Sequence, residues 1–521
     1  MLSSWRVAAV AGVSLCFAGA TWAKPALIES GAIQGIPKNG LTIYMGVPFA
    51  EPPLGQLRWR EPQRVSSWKG VRKADSFAPA CMHKDVSMPG ETMPAVSEDC
   101  LYLNIWTAAQ RAGKRLPVFV WIHGGGYGKG SASMPLYWGD RLALKGIVVV
   151  TIAYRLGPLG FLAHPELTRE SPNQSSGNYG LMDQIAALEW IQRNIEAFGG
   201  DSKRVTIAGQ SAGAMAVSIL MASPRAKGLF QRAVAESGGL FEPLQLAPSY
   251  LLANAEHDGE AYATSLGVAS IERLRRLPAE DLLGGKAGAI AHPIIEPYVL
   301  PAAPYEIFAS GRQHDVPVLL GFNAEEARAL VDLKTIKAST FAADLQRSFG
   351  PLVPPQIIAA YPHATDEEAK QARVDLERDL RFGWDMWTWA RLHTQTGRSN
   401  VYFYYFKHKP PFPEGSVYEG WGASHYAELW YVFDHLNQSQ WRWTAADLKL
   451  AQTMSDYWTQ FAKFGDPNGL GLYRWPAFAG QNGNILHLGN PITVGGLANI
   501  ERLRVFDSVY TNIRNSSFGP R

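Results

Sequence analysis

The chain has 521 residues, 46% of them hydrophobic and 18% charged, which suits a globular protein with a large core and excludes a disordered or fibrous chain. Its 49 basic and 46 acidic residues leave a net charge of only +3, so the balance offers no general attraction for nucleic acid or for an anionic membrane surface. The 17 Trp, 20 Tyr and 22 Phe read first as packing residues.

Arg6 precedes an apolar run from Val7 to Ala20, with small residues at Ala18 and Ala20 or at Thr21 and Ala23. That pattern is a secretory signal peptide, cleaved after Ala20 or Ala23, and it sets residues 1–23 apart from the fold. The protein is therefore expected to be secreted or periplasmic. The run is too short for a stable membrane span. Its removal leaves two cysteines, Cys81 and Cys100. In an oxidising compartment such a pair reads as a disulfide closing one loop, worth about 3 kcal/mol by loop entropy.

No repeat and no low-complexity linker interrupts residues 24–521, which read as a single domain. Residues 41–49 are strand-like and lead into the loop Ala50 to Gly55. Residues 117–122 form a continuous apolar run entering Gly124-Gly125-Gly126, and residues 147–154 form another. Runs apolar on both faces are what buried parallel strands require. Residues 181–198 carry Ile185, Leu188, Ile191 and Ile195 at helical spacing, stopped by Gly199-Gly200. Strands follow at 204–207, 233–235, 317–321 and 401–406, the text at 328–400 is helical and polar, and a last strong helix covers 445–464. This alternation predicts an α/β protein with a doubly wound, mostly parallel central sheet flanked by helices. Sites in such sheets lie at the carboxyl ends of the strands.

One turn at such an end stands out. Val205-Thr206-Ile207 enters Gly209-Gln210-Ser211-Ala212-Gly213, and a small-residue helical run leaves it. Glycines two residues either side of a serine permit a strand to turn sharply into a helix, holding the serine exposed at the tip. A serine hydroxyl is a weak nucleophile, so it needs a base, and the base needs an orienting acid. With a nucleophile on such a turn, acid and then histidine follow in the chain. The loop after residue 321 offers Glu325 and Glu326, and spacing alone leaves both open. Of the six histidines downstream, His425 sits in the Gly-rich stretch Gly420-Trp421-Gly422-Ala423-Ser424, whereas His408 ends a strand among lysines and looks solvated. Backbone donors for a tetrahedral oxyanion are available in His123-Gly124-Gly125-Gly126-Tyr127, whose glycines put no side chains in the way, and at Ala212 after the serine.

These motifs, together with Gly46-Val47-Pro48-Phe49-Ala50-Glu51-Pro52-Pro53, Ser97-Glu98-Asp99-Cys100-Leu101-Tyr102-Leu103-Asn104 and Gly177-Asn178-Tyr179-Gly180-Leu181-Met182-Asp183, make the chain similar to the type-B carboxylesterases. The resemblance runs nearly end to end after residue 23. It implies the α/β-hydrolase fold and a Ser-His-Glu triad of Ser211, His425 and Glu326, the second of the two carboxylates. It further implies Gly125, Gly126 and Ala212 as oxyanion donors, the Cys81–Cys100 disulfide, and the ion pairs Arg58–Glu98 and Arg155–Asp183. The activity implied is hydrolysis of small carboxylic esters through an acyl-enzyme, losing activity as His425 protonates, with no metal or organic cofactor required.

Two other readings are weighed. A lipase would want an apolar lid, and residues 82–99 with Met82, Met88 and Met93 could form part of one. A non-catalytic, cholinesterase-like binding module would lack one of the triad residues, all of which are present here. The loop between the cysteines contains no Phe, Trp or Tyr to stack on a quaternary ammonium. Gln210 stands where many relatives carry Glu, so cationic choline esters are not expected to be preferred, and neutral or anionic acyl groups should be tolerated. Tyr127, Gln210, Phe322, Trp421 and Tyr426 are the expected pocket walls. The identity of the ester and the oligomeric state stay open.

Overall fold

The apolar runs assemble around one eleven-stranded sheet in the computed structural model of the chain, which describes residues 24–516 apart from 87, 89, 90, 110, 111, 481 and 482. The segment read as a signal peptide lies outside the described residues. In chain order the strands are β1 (Ile36–Lys38), β2 (Leu41–Pro48), β3 (Tyr102–Thr107), β4 (Leu116–Ile122), β5 (Val148–Ile152), β6 (Gly200–Gln210), β7 (Arg232–Glu236), β8 (Val318–Asn323), β9 (Val401–Phe406), β10 (Ile485–Leu488) and β11 (Thr493–Gly495). In space they run β1-β2-β3-β5-β4-β6-β7-β8-β9-β10-β11. From β5 across to β10 every neighbouring pair is parallel. Antiparallel pairs finish both edges.

The interior strands are dry on both faces: β5, β8 and β9 bury every residue and β4 all but its first. Continuous Val, Ile, Leu and aromatic runs in the sequence reflect that double burial. Strand β4 lies between β5 and β6, so the chain order reverses at that point. The crevice outside the carboxyl end of such a switch is where open α/β sheets hold ligands. The loops leaving β4 and β6 meet there.

Helix α1 (Tyr179–Asn194) tightens through Ile195–Phe198 and stops at Gly199, whose φ of +80° is left-handed. Helix α2 (Ala212–Ala222) follows β6 after one residue. Helices α3 (Asp366–Arg378) and α4 (Trp384–Thr396) are joined by a widened π-type turn, Asp379–Gly383. Helix α5 (Ala445–Phe464) begins with a Thr444–Asp447 capping box and ends at Gly465, φ +72°.

Two parts of the sequence reading need correction. The text at 328–400 is helical but not uniformly polar, because α4 buries Trp384, Met386, Trp387 and Trp389 against the sheet. Helix α5 is also not the last: β10, β11 and helix α6 (Ile500–Ser516) follow it. The two strands are only four and three residues long. Helix α6 buries just Leu503, Phe506 and Tyr510, a narrow stripe in polar text.

Covalent and ionic ties pin the amino-terminal third. Cys81 and Cys100 are disulfide-bonded, with Cα atoms 5.0 Å apart. Arg58 pairs with Glu98 at 2.5 Å and gives its remaining donors to the carbonyls of Leu274, Arg275 and Leu277. Arg155 meets both carboxylate oxygens of buried Asp183, at 2.7 and 2.8 Å. Such desolvated pairs add little net stability but are costly to break, so they fix where these loops sit. Among the described residues no helix is long and apolar enough to cross a membrane.

Glu236, the last residue of β7, is fully buried beneath α5. Trp458 Nε1 donates to its Oε1 at 2.8 Å, and its Oε2 has no partner. Burial pushes this carboxyl up to about 8 from 4.5, so the folded protein holds a proton that the unfolded chain releases at lower pH. The unfolded state binds fewer protons between those values, so stability falls as pH rises through that window. In Glu236→Gln the melting temperature should fall less between about pH 5 and about pH 8 than in the wild type, measured by thermal unfolding at constant ionic strength. Equal slopes would show that Glu236 carries no such proton.

Candidate active site

Close approach of backbones shapes the turn at the end of β6. A Cβ on Gly213 would stand 2.1 Å from the Ile122 carbonyl oxygen, and one on Gly209 would stand 2.4 Å from the Gly213 carbonyl carbon. Neither position admits a side chain. Ser211 itself sits at φ +57°, ψ −125°, a conformation that non-glycine residues rarely adopt. Its N–H donates to the Glu236 carbonyl at 2.8 Å, and its carbonyl accepts from Met215 N at 2.9 Å. The backbone is thus held from both sides, with the hydroxyl at the helix entrance.

Glu326 follows β8 and His425 lies in the loop after β9, two adjacent parallel strands. His425 Nδ1 is 2.7 Å from Glu326 Oε2, and both residues are buried. Glu326 Oε1 accepts from Asn323 N at 2.7 Å, and the Glu326 carbonyl accepts from His425 N at 3.2 Å. The imidazole stacks on Phe382 of the π-type turn, with centroids 4.6 Å apart at 19°. The Gln210 amide nitrogen lies 3.3 and 3.2 Å from the two ring nitrogens. Among the described residues no hydrogen bond joins Ser211 Oγ directly to His425. Such contacts are often long before substrate tightens them. The Tyr426 ring meets the imidazole at 63°, with centroids 4.5 Å apart.

The loop after β4 supplies donors. Gly125 has φ +109°, and a Cβ there would fall 2.1 Å from the Lys129 carbonyl oxygen; Gly126 has φ +61° and faces open space. The Gly125 carbonyl is turned away, accepting from Gly128 N and Lys129 N. Among the described residues the N–H groups of Gly125, Gly126 and Ala212 have no protein acceptor. His123 braces this loop: its carbonyl accepts from Tyr154 Oη at 2.8 Å and its ring stacks on Tyr154. Burial lowers His123 to about 4, keeping it neutral.

Glu325, the rival carboxylate, points elsewhere. It pairs with Arg328 at 2.9 Å and Lys409 at 3.2 Å, and accepts from Ala423 N at 3.0 Å. A Cβ on Gly422 would fall 2.0 Å from Glu325 Oε2, so this carboxylate anchors the histidine loop.

Of the expected pocket walls, Gln210 and Tyr426 touch the candidate triad. Phe322 does not wall a pocket. It is a core side chain within β8, packed on Tyr405 and Phe403, because the strand runs two residues past Gly321. Tyr127 is turned inward onto Phe161 at 5.0 Å, and Trp421 joins an exterior aromatic group with Tyr418 and Phe412. His408 is not solvated: its Nε2 lies 2.7 Å from Asp447 Oδ1 of the α5 cap.

Sequence reasoning missed Phe382, Asn323 and Glu428. Asn323 Nδ2 donates to the Ser424 carbonyl at 2.8 Å and to Glu428 Oε2. Burial, with Glu236 and Glu326 nearby, pushes the Glu428 carboxyl well above the usual carboxylate range. His425 and Glu428 three residues apart at a helix start were a readable signal for the last of these. The π-type turn that delivers Phe382 left none.

The geometry has close counterparts. The carboxylesterase family model matches residues 24–505. The chain is 37% identical over 487 residues to fumonisin B1 esterase of Sphingopyxis macrogoltabida, covering 90% of this chain and 86% of that protein. It is 33% identical over 491 residues to para-nitrobenzyl esterase of Bacillus subtilis (strain 168), covering 89% and 95%. Solved PNB esterase structures superpose with TM-scores of 0.79 and, for a thermophilic one, 0.81, each at 31% identity over 93% of this chain and 99% of theirs. Agreement of that extent, in sequence and in an α/β-hydrolase sheet, places the chain in the carboxylesterase family, as an enzyme that hydrolyses carboxylic esters.

Proposed function

We propose that hydrolysis proceeds through an acyl-enzyme on Ser211, with His425 as base and Glu326 as the acid that orients it. The observation that carries this reading is the buried 2.7 Å contact between Glu326 and His425 Nδ1, which leaves Nε2 to serve the serine. Ser211 Oγ attacks the ester carbonyl as His425 takes its proton. The oxyanion is received by the N–H groups of Gly125, Gly126 and Ala212, each worth about 3 kcal/mol in such a role. The C–O bond to the alcohol then breaks, and its oxygen takes the proton from His425. Water, deprotonated by the same histidine, attacks the acyl-serine and releases the acid. Nitrobenzyl esters and the fumonisin B1 named in a relative are candidate substrates.

Ser211→Ala should lower kcat/KM on the order of 10⁴-fold or more, and Glu326→Gln by a loss approaching that size, with folding unchanged by circular dichroism. Glu325→Gln should cost less than about tenfold, since it only anchors a loop. An organophosphate should label Ser211 stoichiometrically by mass spectrometry. An adduct elsewhere, or an active Ser211→Ala, would refute the assignment.

We further propose that Gln210 sets the charge preference, because its buried amide, not a carboxylate, faces the imidazole. Two unit charges 4 Å apart exchange about 4 kcal/mol at an effective dielectric of 20, so one added carboxylate is enough to matter. Gln210→Glu should shift the kcat/KM ratio of cationic to anionic esters upward by about tenfold or more. An unchanged ratio across cationic, neutral and anionic esters would remove Gln210 from the account.

Export is part of the same proposal, supported by the Cys81–Cys100 bridge, which persists in oxidising compartments. Amino-terminal sequencing of protein recovered from periplasm or medium should begin at Thr21 or Lys24. Recovery only as an uncut cytoplasmic chain would exclude it.

A further inference from the structure

The residues that follow β7 form a short strap behind the turn that carries Ser211. A Cβ on Gly238 would fall 2.2 Å from the Ser211 carbonyl oxygen and 3.1 Å from the Ala214 Cβ. Two successive residues at the start of α4 hold this strap. Asp385 Oδ1 accepts from Phe241 N at 3.1 Å, and Gly238 N donates to Met386 Sδ at 3.4 Å. Between those two bonds Gly239 rests on the aspartate, where an added Cβ would fall 2.8 Å from the Asp385 Cβ. Arg514 of α6 donates to the Phe241 carbonyl. Asp385 is fully buried, and its Oδ2 has no partner. Three residues before it, Phe382 stacks on the His425 imidazole. The start of α4 thus meets the base through one side chain and the nucleophile's backbone support through another.

We propose that Asp385 is a positioning residue for acyl transfer: by accepting from Phe241 N it clamps residues 238–241 against the Ser211 carbonyl and holds the serine in its strained conformation. This rests on Ser211 being the acylated residue. Ser211 sits at φ +57°, and a conformation of that kind relaxes unless its surroundings oppose it. The strap opposes it through a contact of backbone on backbone, with no side chain between them to yield. The role calls for an acceptor oxygen, not for a charge. Burial, with the Glu242 carboxyl nearby, pushes the Asp385 carboxyl well above the usual carboxylate range, and an amide closely matches a neutral acid. Asp385→Asn therefore keeps the clamp. Asp385→Leu fills the space without an acceptor and leaves the buried Phe241 N–H unpaired.

Labelling of Ser211 by an organophosphate, followed in time by mass spectrometry with the adduct mapped, reads the serine's placement in one chemical step. At saturating reagent Asp385→Leu should label about tenfold more slowly than the wild type or worse, because a small misplacement of reacting atoms is felt mainly in rate. Its half-saturating concentration should stay within about twofold of the wild-type value, and Asp385→Asn should stay within about twofold in both quantities. A purely structural role would lower the fraction of molecules that label at completion and leave the rate per labelled molecule unchanged. That result would overturn the proposal, as would a wild-type rate in the leucine variant or an asparagine variant as slow as the leucine one. Gly239→Ala keeps Asp385 but pushes the strap off it, so it should slow labelling in the same way. This variant carries the measurement if the leucine variant does not fold, and a wild-type rate in it would also sink the clamp. Failure of the Ser211 reading looks different, since no adduct would then form at Ser211 in the wild type.

Discussion

The structure turns on one steric constraint, the contact of backbones where β4, β6, α2 and the residues after β7 meet. Gly213 lies against the Ile122 carbonyl, Gly209 against Gly213, and Gly238 so close to the Ser211 carbonyl that a Cβ would fall 2.2 Å away. With no side chain between them, β6 turns into α2 within one residue. That residue, Ser211, takes the strained φ of +57°. The strain persists because the turn is held by hydrogen bonds at both ends and by a sheet dry on both faces. Relaxing any one glycine contact would move the serine relative to the loop after β4, where the N–H groups of Gly125 and Gly126 have no protein acceptor among the described residues.

The other half of the site is positioned by a different kind of tie. Strands β8 and β9 end side by side, but the loops beyond them are fastened by polar groups. Asn323 is the central fastener, with its backbone N–H on Glu326 and its amide on Ser424 and Glu428. Glu325 performs the same service from outside, gripping Ala423 N and filling the space a Cβ on Gly422 would need. Adjacent carboxylates thus divide the work: Glu325, partly buried, orders the loop, and Glu326, fully buried, meets the histidine. Phe382 then closes the imidazole's open face, delivered by a turn that departs from α-helical winding.

This division explains how much was legible in the sequence. The parallel strands were readable because double burial leaves continuous apolar runs. Residues 117–122 and 401–406 are the clearest cases, appearing in the fold as β4 and β9. Helix α5 was readable to the residue because Thr444 and Gly465 punctuate it. The carboxy-terminal β10, β11 and α6 were not, since short edge strands and a helix with three buried side chains leave little periodic signal. Within the site, Ser211, His425 and the glycine loop announced themselves through backbone demands that only particular residues meet. The choice between Glu325 and Glu326 could not be made from spacing, because it depends on which way the chain turns after β8 has run on to Asn323. The same two-residue extension takes Phe322 into the core. Tyr426 was expected near the reaction, and its ring packs against the imidazole.

The electrostatics of the site follow from how many donors each buried acid receives. Glu326 has one oxygen on a backbone N–H and the other on His425. Glu236 has a single indole donor, Glu428 has one amide, and each leaves an oxygen without a partner. Desolvation then favours their protonated forms, against about 4.5 for a free Glu. Two of the three buried acids around the candidate histidine are thereby held toward their protonated forms. Gln210 sets a neutral amide, not a further acid, against the imidazole. On the role proposed for it, an acid-for-amide exchange at Gln210 is what would build an attraction for a cation into the site.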